Sequence, residues 1–175
     1  VNGQLQEKRN IENGKLVLLQ TFDQESNPLN DLTYKDGKKT GEEVKFYENG
    51  QLMTRRNYKK GLLDGLWESY LVIGQLQSRG NYKKGLEEGL KEVFYDHGQL
   101  SLKENYKNGK LDGFSEKFYV NGQLQEKRNI ENGKLVLQQT FDPEGNPLTD
   151  LIYINGKKNG REVISDEGKT LINRY

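Results

Sequence analysis

The feature that most constrains this chain is a repeat of about 24 residues. Four glycines, each followed by Gln-Leu, fall 24 residues apart at Gly50, Gly74, Gly98 and Gly122. An aromatic residue precedes each of these glycines by four positions, and a column of mostly tyrosine follows each by eight. Followed outward, the columns define about seven units of 23–24 residues. Such a chain is expected to fold by stacking each unit on its neighbours rather than around one central core.

A second repeat is coarser. Residues 1–23 match residues 120–142 at every position but one, where Leu19 corresponds to Gln138. The offset of 119 residues is close to five units, so the simplest interpretation is duplication of a five-unit block. Because Val1 lies inside a unit, we expect further sequence to precede it, and the sequence leaves the cellular compartment open.

Each unit predicts two short antiparallel strands separated by glycine turns. Segments such as 43–47 and 51–58 are rich in β-forming residues and are bounded by turn residues. No segment of useful length has an apolar period of 3.6 residues, so helix should be scarce. The predicted fold is all-β, an elongated antiparallel meander of hairpin repeats. We expect a single array over residues 1–175, most regular over 41–133 and divergent over 1–40 and 134–175.

The residue before each turn glycine bears on the type of turn. Asn-Gly suggests a two-residue type I′ turn, which needs positive φ at both positions. However, Ile73, Lys60 and Lys84 also occupy that slot, and a β-branched residue at positive φ is costly. We therefore expect a three-residue loop, in which a type I turn is closed by glycine in the left-handed conformation. In such a loop Phe46 pairs with Leu52.

Alternation of side chains along a strand then assigns the two faces of the sheet. Phe46, Leu52 and Tyr58 are expected to share one packed face, and the same assignment holds for Phe94, Leu100 and Tyr106. The remaining residues expected to be structural are Tyr82, Phe118 and the turn glycines Gly50, Gly74, Gly98 and Gly122. Stability should come from packing between neighbouring units.

The opposite face is expected to carry a stripe made of Tyr47, Leu71, Tyr95 and Tyr119. Exposed aromatic residues spaced along a rigid sheet suit a protein partner, which makes this stripe the candidate binding site. The alternative is that curvature of the array covers the stripe. An asparagine column on the same face is expected to form a ladder of hydrogen bonds, at Asn57, Asn81 and Asn105.

Composition excludes several other kinds of site. The chain has no Cys, which excludes disulfides and thiolate metal ligands. Its net charge of +1 gives no general attraction to nucleic acid, and no nucleic-acid partner is predicted. No apolar run approaches the ~18 residues of a transmembrane helix. No catalytic, cofactor-binding or metal-binding residue is predicted.

Two groups of polar residues invite a functional interpretation. His97, the only histidine, occupies a turn slot that holds Asn49 and Asn121 in other units, so we expect a plain turn residue. Lysines follow the tyrosine column in a row, at Lys35, Lys59, Lys83 and Lys107. This row either attracts an anionic surface such as lipid headgroups or keeps the hairpin edges soluble and unpaired.

The segment 105–113, NYKNGKLDG, resembles the MORN repeat, in which Tyr is followed by Asn-Gly or Asp-Gly and then by a second Gly. The segments FYENGQL (46–52) and FYVNGQL (118–124) resemble the variant MORN family of bacteria, which includes the YwqK family of proposed antitoxins. At the flanks, Leu18 and Leu137 replace the second glycine. The resemblance implies a β-meander and a role in protein association or membrane-linked scaffolding, without catalysis or a cofactor.

Three functions are open on this basis. The first is a non-enzymatic scaffold that binds a protein partner through the stripe. The second, implied by the resemblance alone, is an antitoxin or immunity-type inhibitor with one dedicated toxin partner. The third is a scaffold directed to membrane lipid. The sequence leaves the identity of the partner and the oligomeric state open.

Overall fold

The computed structural model describes residues 6–22, 26–154, 156–166 and 169–174, and within them all regular structure is β-strand. The chain divides into two compact units, Val1–Glu88 and Gly89–Tyr175. The strands of the first unit are β1 (Glu7–Glu12), β2 (Lys15–Phe22), β3 (Pro28–Lys35), β4 (Lys38–Lys39), β5 (Gly41–Phe46), β6 (Leu52–Lys59), β7 (Leu62–Tyr70), β8 (Leu76–Lys83) and β9 (Leu86–Glu87). Those of the second unit are β10 (Gly89–Phe94), β11 (Leu100–Lys107), β12 (Lys110–Phe118), β13 (Leu124–Glu131), β14 (Lys134–Phe141), β15 (Pro147–Ile154), β16 (Lys157–Asp166) and β17 (Lys169–Arg174).

The strands within each unit pair antiparallel in chain order. In the first unit β1, β2 and β3 pair in succession, and β5, β6, β7 and β8 continue from β3. The short strands β4 and β9 pair with β3 and β8. In the second unit every strand from β10 to β17 pairs with the next. The predicted all-β antiparallel meander of hairpins is confirmed, and the single array over residues 1–175 stays a prediction.

The Gly-Gln-Leu turns have the expected three-residue form. The Gly50 amide donates to the Tyr47 carbonyl oxygen at 2.9 Å, and the Tyr47 amide donates to the Gln51 carbonyl oxygen at 2.8 Å. Gly50 has a φ of 80°, and Phe46 pairs with Leu52 as predicted. The same pair of hydrogen bonds recurs in the turns at Gly74, Gly98 and Gly122. Because only the glycine needs positive φ, a β-branched residue is tolerated just before it.

The turns that follow the tyrosine column differ, and for them the three-residue prediction is wrong. Lys60 and Gly61 have φ values of 55° and 86°, and Lys59 pairs directly with Leu62. This is the two-residue type I′ turn, whose twist matches that of the flanking strands. The residue before the glycine is also at positive φ at Lys84, Asn108 and Asn132. Lysine is not β-branched, so the argument from Ile73 does not apply to these turns.

The predicted face assignment is also wrong, because each hairpin contains a β-bulge. Phe46 pairs with Leu52 but Lys45 pairs with Thr54, so one residue of β6 is extra. Lys45 and Phe46 are adjacent and point to opposite faces, so Leu52 and Thr54 do as well. Tyr58 follows Thr54 by four residues and therefore lies on the face opposite to Phe46. The same shift separates Tyr70 from Tyr82, Phe94 from Tyr106 and Phe118 from Ile130.

We name the two sides of each sheet by these residues. The tyrosine face carries Tyr58 and Tyr82 in the first unit and Tyr106 in the second. The phenylalanine face carries Phe46 and Tyr70 in the first unit and Phe94 and Phe118 in the second. Side-chain contacts support the division, because the Tyr58 hydroxyl donates to Glu43 whereas the Tyr70 hydroxyl donates to Glu68. Glu43 pairs with Arg56 and Glu68 with Arg55, and these adjacent arginines point to opposite faces.

The asparagine column lies on the phenylalanine face, so its predicted place on the opposite face is wrong, but its predicted hydrogen bonds are found at two positions. Asn57 Nδ2 donates to the carbonyl oxygen of Leu66 at 3.0 Å, and Asn105 Nδ2 donates to that of Phe114 at 3.3 Å. Gly65 leaves room for this packing, since a Cβ atom there would lie 3.1 Å from the Asn57 Cβ. The second glycine of the repeat thus permits the asparagine side chain to approach the backbone of the next strand closely.

Few side chains in the described part of the chain are fully buried, and most of them are polar. They lie on the tyrosine face: Leu32, Glu43, Thr54, Ser78, Glu104, Ser115 and Leu151. The aromatic and leucine residues predicted to be structural are half-buried: Phe46, Leu52, Tyr58, Tyr82, Phe94, Leu100, Tyr106 and Phe118. Strand pairing and contacts between neighbouring hairpins therefore hold each sheet together, with little contribution from a shared apolar core.

Candidate functional site

The hydroxyl groups of the three predicted stripe tyrosines donate hydrogen bonds to backbone carbonyl oxygens of the chain itself. In the first unit Tyr47 donates to the carbonyl oxygen of Tyr70 at 2.8 Å. In the second unit Tyr95 donates to the carbonyl oxygen of Phe118 at 2.6 Å. Tyr119 donates to that of Phe141 at 2.8 Å. Each acceptor lies one repeat further along the chain, so these tyrosines connect consecutive hairpins, and their rings are half-buried.

Side chains at the tips of the three-residue turns also reach backbone carbonyl oxygens of the next hairpin. Asn49 Nδ2 donates to the carbonyl oxygen of Val72 at 2.9 Å, and Asn121 Nδ2 donates to that of Pro143 at 2.8 Å. His97 occupies the matching slot, and its Nε2 lies 3.2 Å from the carbonyl oxygen of Val120. The His97 ring also stacks on Tyr95, with ring centroids 5.5 Å apart. His97 is thus a turn residue, as predicted.

One turn tip breaks this polar pattern. Leu71, the stripe residue without a hydroxyl, is half-buried, and it is followed by Val72 and Ile73, which are 51% and 69% exposed. Tyr47 and Asn49 of the preceding turn bond to backbone oxygens of this hairpin, so all of these residues lie at one turn edge of the first unit. Sequence reasoning used Ile73 only as evidence about turn type and missed it as a surface feature. The signal was an apolar residue in a slot that holds Asn49, His97 and Asn121 in the other Gly-Gln-Leu turns of the regular region.

A buried carboxylate on the tyrosine face was not predicted. Glu43 is 1% exposed, and it accepts hydrogen bonds from Lys39 Nζ at 2.8 Å and from the Tyr58 hydroxyl at 3.1 Å. Burial raises the pKa of Glu43, but the hydrogen bond and charge of Lys39 outweigh it, so the pKa lies below its ordinary value. Burial likewise lowers the pKa of Lys39, and its bond to Glu43 more than reverses this. The repeat gave no sign of this pair, because the column of Glu43 continues as Trp67, Lys91 and Ser115.

The phenylalanine face of the first unit carries a second ion-pair cluster. Arg55 Nε lies 3.1 Å from the Glu42 carboxylate, and Arg55 Nη1 lies 3.2 Å from the Glu68 carboxylate. Glu68 also accepts the Tyr70 hydroxyl at 3.0 Å. Burial and this hydrogen bond to Glu68 together raise the pKa of Tyr70. Arg55 thus lies between two carboxylates and Tyr70 bonds to one of them, which indicates a structural role.

Lysines converge at the other edge of the first unit. A cavity of about 580 Å³ is lined by Lys35, Asp36, Lys38, Thr40, Lys59 and Lys60. The one carboxylate among these residues lies 3.9 Å from Lys15. A cavity of about 540 Å³ in the second unit is lined by Lys134, Leu135, Val136, Tyr153 and Gly156. Two members of the predicted lysine row, Lys35 and Lys59, thus line a cavity of the first unit together with Lys38 and Lys60.

Within the described residues, no group of three or more His, Cys, Asp or Glu side chains is placed to hold a metal ion. In the same part of the chain no helix is long and apolar enough to cross a membrane.

The fold and these turn edges define a class of protein, the antiparallel array of β-hairpin repeats. Two segments, 39–60 and 87–108, match the family model described as the MORN repeat variant. These two segments therefore match MORN repeats, which are generally repeats that bind proteins or membranes. Both matched segments lie in or next to the 41–133 region predicted to be most regular. The YwqK-like subfamily stays a prediction.

No curated protein matches this chain. One solved structure that does match is described as ASR alternansucrase in complex with isomaltononaose, at 15% sequence identity and a TM-score of 0.22. The match covers 94% of this chain and 16% of that chain. At this TM-score the likeness bears on neither fold nor function.

Proposed function

We propose that this protein is a non-enzymatic repeat scaffold that binds a protein partner at the turn edge of its hairpins. The observation that carries the proposal is the apolar tip of the hairpin formed by β7 and β8. Val72 and Ile73 are both more than half exposed there. Turn tips are normally built from glycine, asparagine, aspartate and serine, so two adjacent exposed aliphatic residues need a reason. Because these side chains are 51% and 69% exposed, burying the remainder of each against a partner would contribute about 1–2 kcal/mol.

The stripe residues would add to this binding surface. The Tyr47 ring is half-buried and its hydroxyl is fixed by the Tyr70 carbonyl oxygen, so a partner would meet it at little cost in side-chain entropy. Leu71 extends the apolar surface behind the tip. In the second unit, Tyr95 and Tyr119 are fixed in the same way, and Val120 is exposed next to Tyr119. The roles of Tyr47, Leu71, Tyr95 and Tyr119 as partner contacts belong to this proposal.

The experiment compares tip variants with a matched apolar control. Val72→Glu and Ile73→Asn introduce the residues found at the same positions of another turn, Glu48 and Asn49, so the fold should tolerate them. Ile154→Asn removes an aliphatic side chain of similar exposure elsewhere. A tagged chain should co-purify a protein from native extract in the wild-type and Ile154→Asn forms. Recovery of that protein should fall at least tenfold with the tip variants, and equal recovery in all forms would contradict the proposal.

One observation favours a second function, recognition of an anionic membrane surface. The cavity with Lys35, Lys38, Lys59 and Lys60 concentrates positive charge at one edge of the first unit. Binding to acidic vesicles at low salt should weaken with Lys59→Gln combined with Lys60→Gln, and Lys134→Gln provides the matched control. An antitoxin-like function would instead give one stoichiometric partner in the co-purification, and it stays a prediction.

A further inference from the structure

Asparagine followed by glycine occurs eight times in this chain, because both classes of turn use the pair. Asparagine is a thermolabile residue, and glycine after it exposes the next backbone nitrogen to its side chain, since glycine has no side chain of its own. Asn49 and Asn121 lie in three-residue turns, whereas Asn13 and Asn132 lie in two-residue turns. The two classes of turn hold the asparagine side chain differently.

In the three-residue turns both polar atoms of the asparagine side chain are bonded. Asn121 Nδ2 donates to the Pro143 carbonyl oxygen at 2.8 Å, and Asn121 Oδ1 accepts from the Gln123 amide at 3.0 Å. Asn49 makes the same pair of bonds, and its Oδ1 accepts from the Gln51 amide at 3.1 Å. Each side chain is therefore fixed at its oxygen and at its nitrogen.

In the two-residue turns the asparagine side chain is not held in this way. Asn13 and Asn132 have φ values of 50° and 52°, and both are exposed. Among the residues that the structure describes, neither side chain has a hydrogen-bond or ion-pair partner. A Cβ atom on Gly14 or Gly133 would meet nothing within 4 Å, so the space around each turn is open. The two turns have the identical sequence Glu-Asn-Gly-Lys.

Strand β13 has one turn of each class at its ends. Asn121 and Gly122 precede the strand, and Asn132 and Gly133 follow it. Both asparagines are exposed and both are followed by glycine, so access of solvent and the neighbouring residue do not distinguish them. The turn class and the two side-chain bonds of Asn121 are what differ.

We propose that Asn132 and its counterpart Asn13 are sites of spontaneous deamidation, and that the side-chain bonds of Asn49 and Asn121 protect the three-residue turns. In this reaction the glycine nitrogen bonds to the asparagine Cγ, and the side-chain NH₂ group leaves with the glycine amide proton as ammonia. Water then opens the resulting cyclic imide at either carbonyl carbon and gives aspartate or isoaspartate. Ring closure rotates the side-chain amide and releases its nitrogen, so both bonds of a fixed asparagine have to break first.

The modification would affect one turn edge and spare the other. Isoaspartate lengthens the backbone of a two-residue turn by one carbon atom and adds a negative charge next to Glu131, which pairs with Lys134 across the turn. The length of such a turn sets the register of its two strands, so the extra atom strains the hairpin. Asn49, at the edge with Val72 and Ile73, would stay intact. Deamidation does not depend on a partner, so this proposal and the binding proposal can fail separately.

The test ages the whole purified chain in mildly alkaline buffer and follows its peptides by mass spectrometry. The peptides with Asn13 and Asn132 should gain the mass of an amide-to-acid conversion and should accept a methyl group from an isoaspartate methyltransferase. The rate at Asn132 should exceed the rate at Asn121 at least about tenfold, which corresponds to about 1.4 kcal/mol of hydrogen bonding. Equal rates at these two residues, or a faster reaction at Asn121, would overturn the proposal.

Two controls separate the structure from the local sequence. In the urea-unfolded chain Asn121 and Asn132 should react at similar rates, because the protecting bonds are absent, and a difference as large as in the folded chain would refute protection. Asn132→Lys introduces the residue found at the matching positions Lys60 and Lys84, so the fold should tolerate it. This variant should lose the isoaspartate of the 126–134 segment and keep that of Asn13. Isoaspartate that persisted in this segment would refute the assignment to Asn132.

Discussion

The buried carboxylate of Glu43 supplies the sharpest test of how the first unit is held together. In the variant Glu43→Gln the side chain keeps its size and one acceptor oxygen but loses its charge. Glu43 is 1% exposed and accepts from Lys39 and Tyr58. The adjacent Glu42 is the matched control, because its side chain is 51% exposed and its Arg55 partner lies on the other face.

The size of the effect follows from these contacts. A hydrogen bond to a charged group contributes about 1.5–3 kcal/mol, and Glu43 accepts two. The Lys39 side chain is 35% exposed, so water screens its interaction and can solvate the ammonium after the substitution. The glutamine oxygen also retains one of the two bonds. We therefore expect Glu43→Gln to lower the free energy of unfolding by about 2 kcal/mol, and Glu42→Gln by less than about 0.5 kcal/mol.

The assay is urea unfolding followed by tryptophan fluorescence. Trp67 is the one tryptophan of the chain, and it pairs with Arg56, the neighbour of Glu43 across the sheet, so it reports on this region. The pKa of Glu43 is lowered in the folded state. Its contribution to stability is therefore present above the unfolded-state pKa and is lost as the pH falls through the folded-state pKa. The difference between wild type and Glu43→Gln should thus be full at pH ~7 and should shrink progressively as the pH falls below about 4.3, the ordinary pKa of a glutamate.

Two results would refute this reasoning. Equal losses for Glu42→Gln and Glu43→Gln would mean that burial on the tyrosine face does not distinguish the two carboxylates. A difference that persisted unchanged in acid would mean that side-chain shape matters at this position and the charge does not.

Two further predictions concern the contacts between hairpins. Tyr82→Ala, on the tyrosine face of β8, should lower the free energy of unfolding by about 2–4 kcal/mol, whereas Ile11→Ala should cost less than about 1 kcal/mol because that side chain is 60% exposed. Chemical denaturation of both variants checks this, and equal losses would contradict a stack of nearest neighbours. Tyr95→Phe should cost about 1 kcal/mol by removing the hydroxyl that bonds to the Phe118 carbonyl oxygen, with partner binding retained because the ring stays in place. A fully stable Tyr95→Phe variant that had lost its partner would assign the hydroxyl to binding instead.

The repeat columns predicted the strands and the first class of turn because both depend on local geometry. Glycine at a fixed spacing and a β-branched residue just before Gly74 leave few conformations available to that turn. The second class was mispredicted because lysine at positive φ costs little enough for the type I′ twist to decide. The preference for the type I′ twist arises from the twist of the two flanking strands, so the sequence of the turn alone does not reveal it.

The faces could not be predicted because they depend on a bulge. One extra residue between Leu52 and Thr54 reverses the face to which every later side chain of the strand points. No residue type marks the place of this bulge in the repeat. The stripe was assigned to an exposed face, and the hydrogen bonds of Tyr47, Tyr95 and Tyr119 to the next hairpin were not foreseen. Those bonds depend on the spacing between hairpins, which the sequence of one hairpin does not contain.

A sheet in which each hairpin contacts only its neighbours also has a characteristic response to mechanical load. Hydrogen bonds between antiparallel strands lie perpendicular to the strands, so tension applied across successive strands of a unit loads them one after another. Each repeat that opens releases about 24 residues, roughly 80 Å of extended chain. Such a protein should unfold one hairpin at a time under tension. A partner bound to one hairpin would stay attached while other hairpins unfold and lengthen the chain.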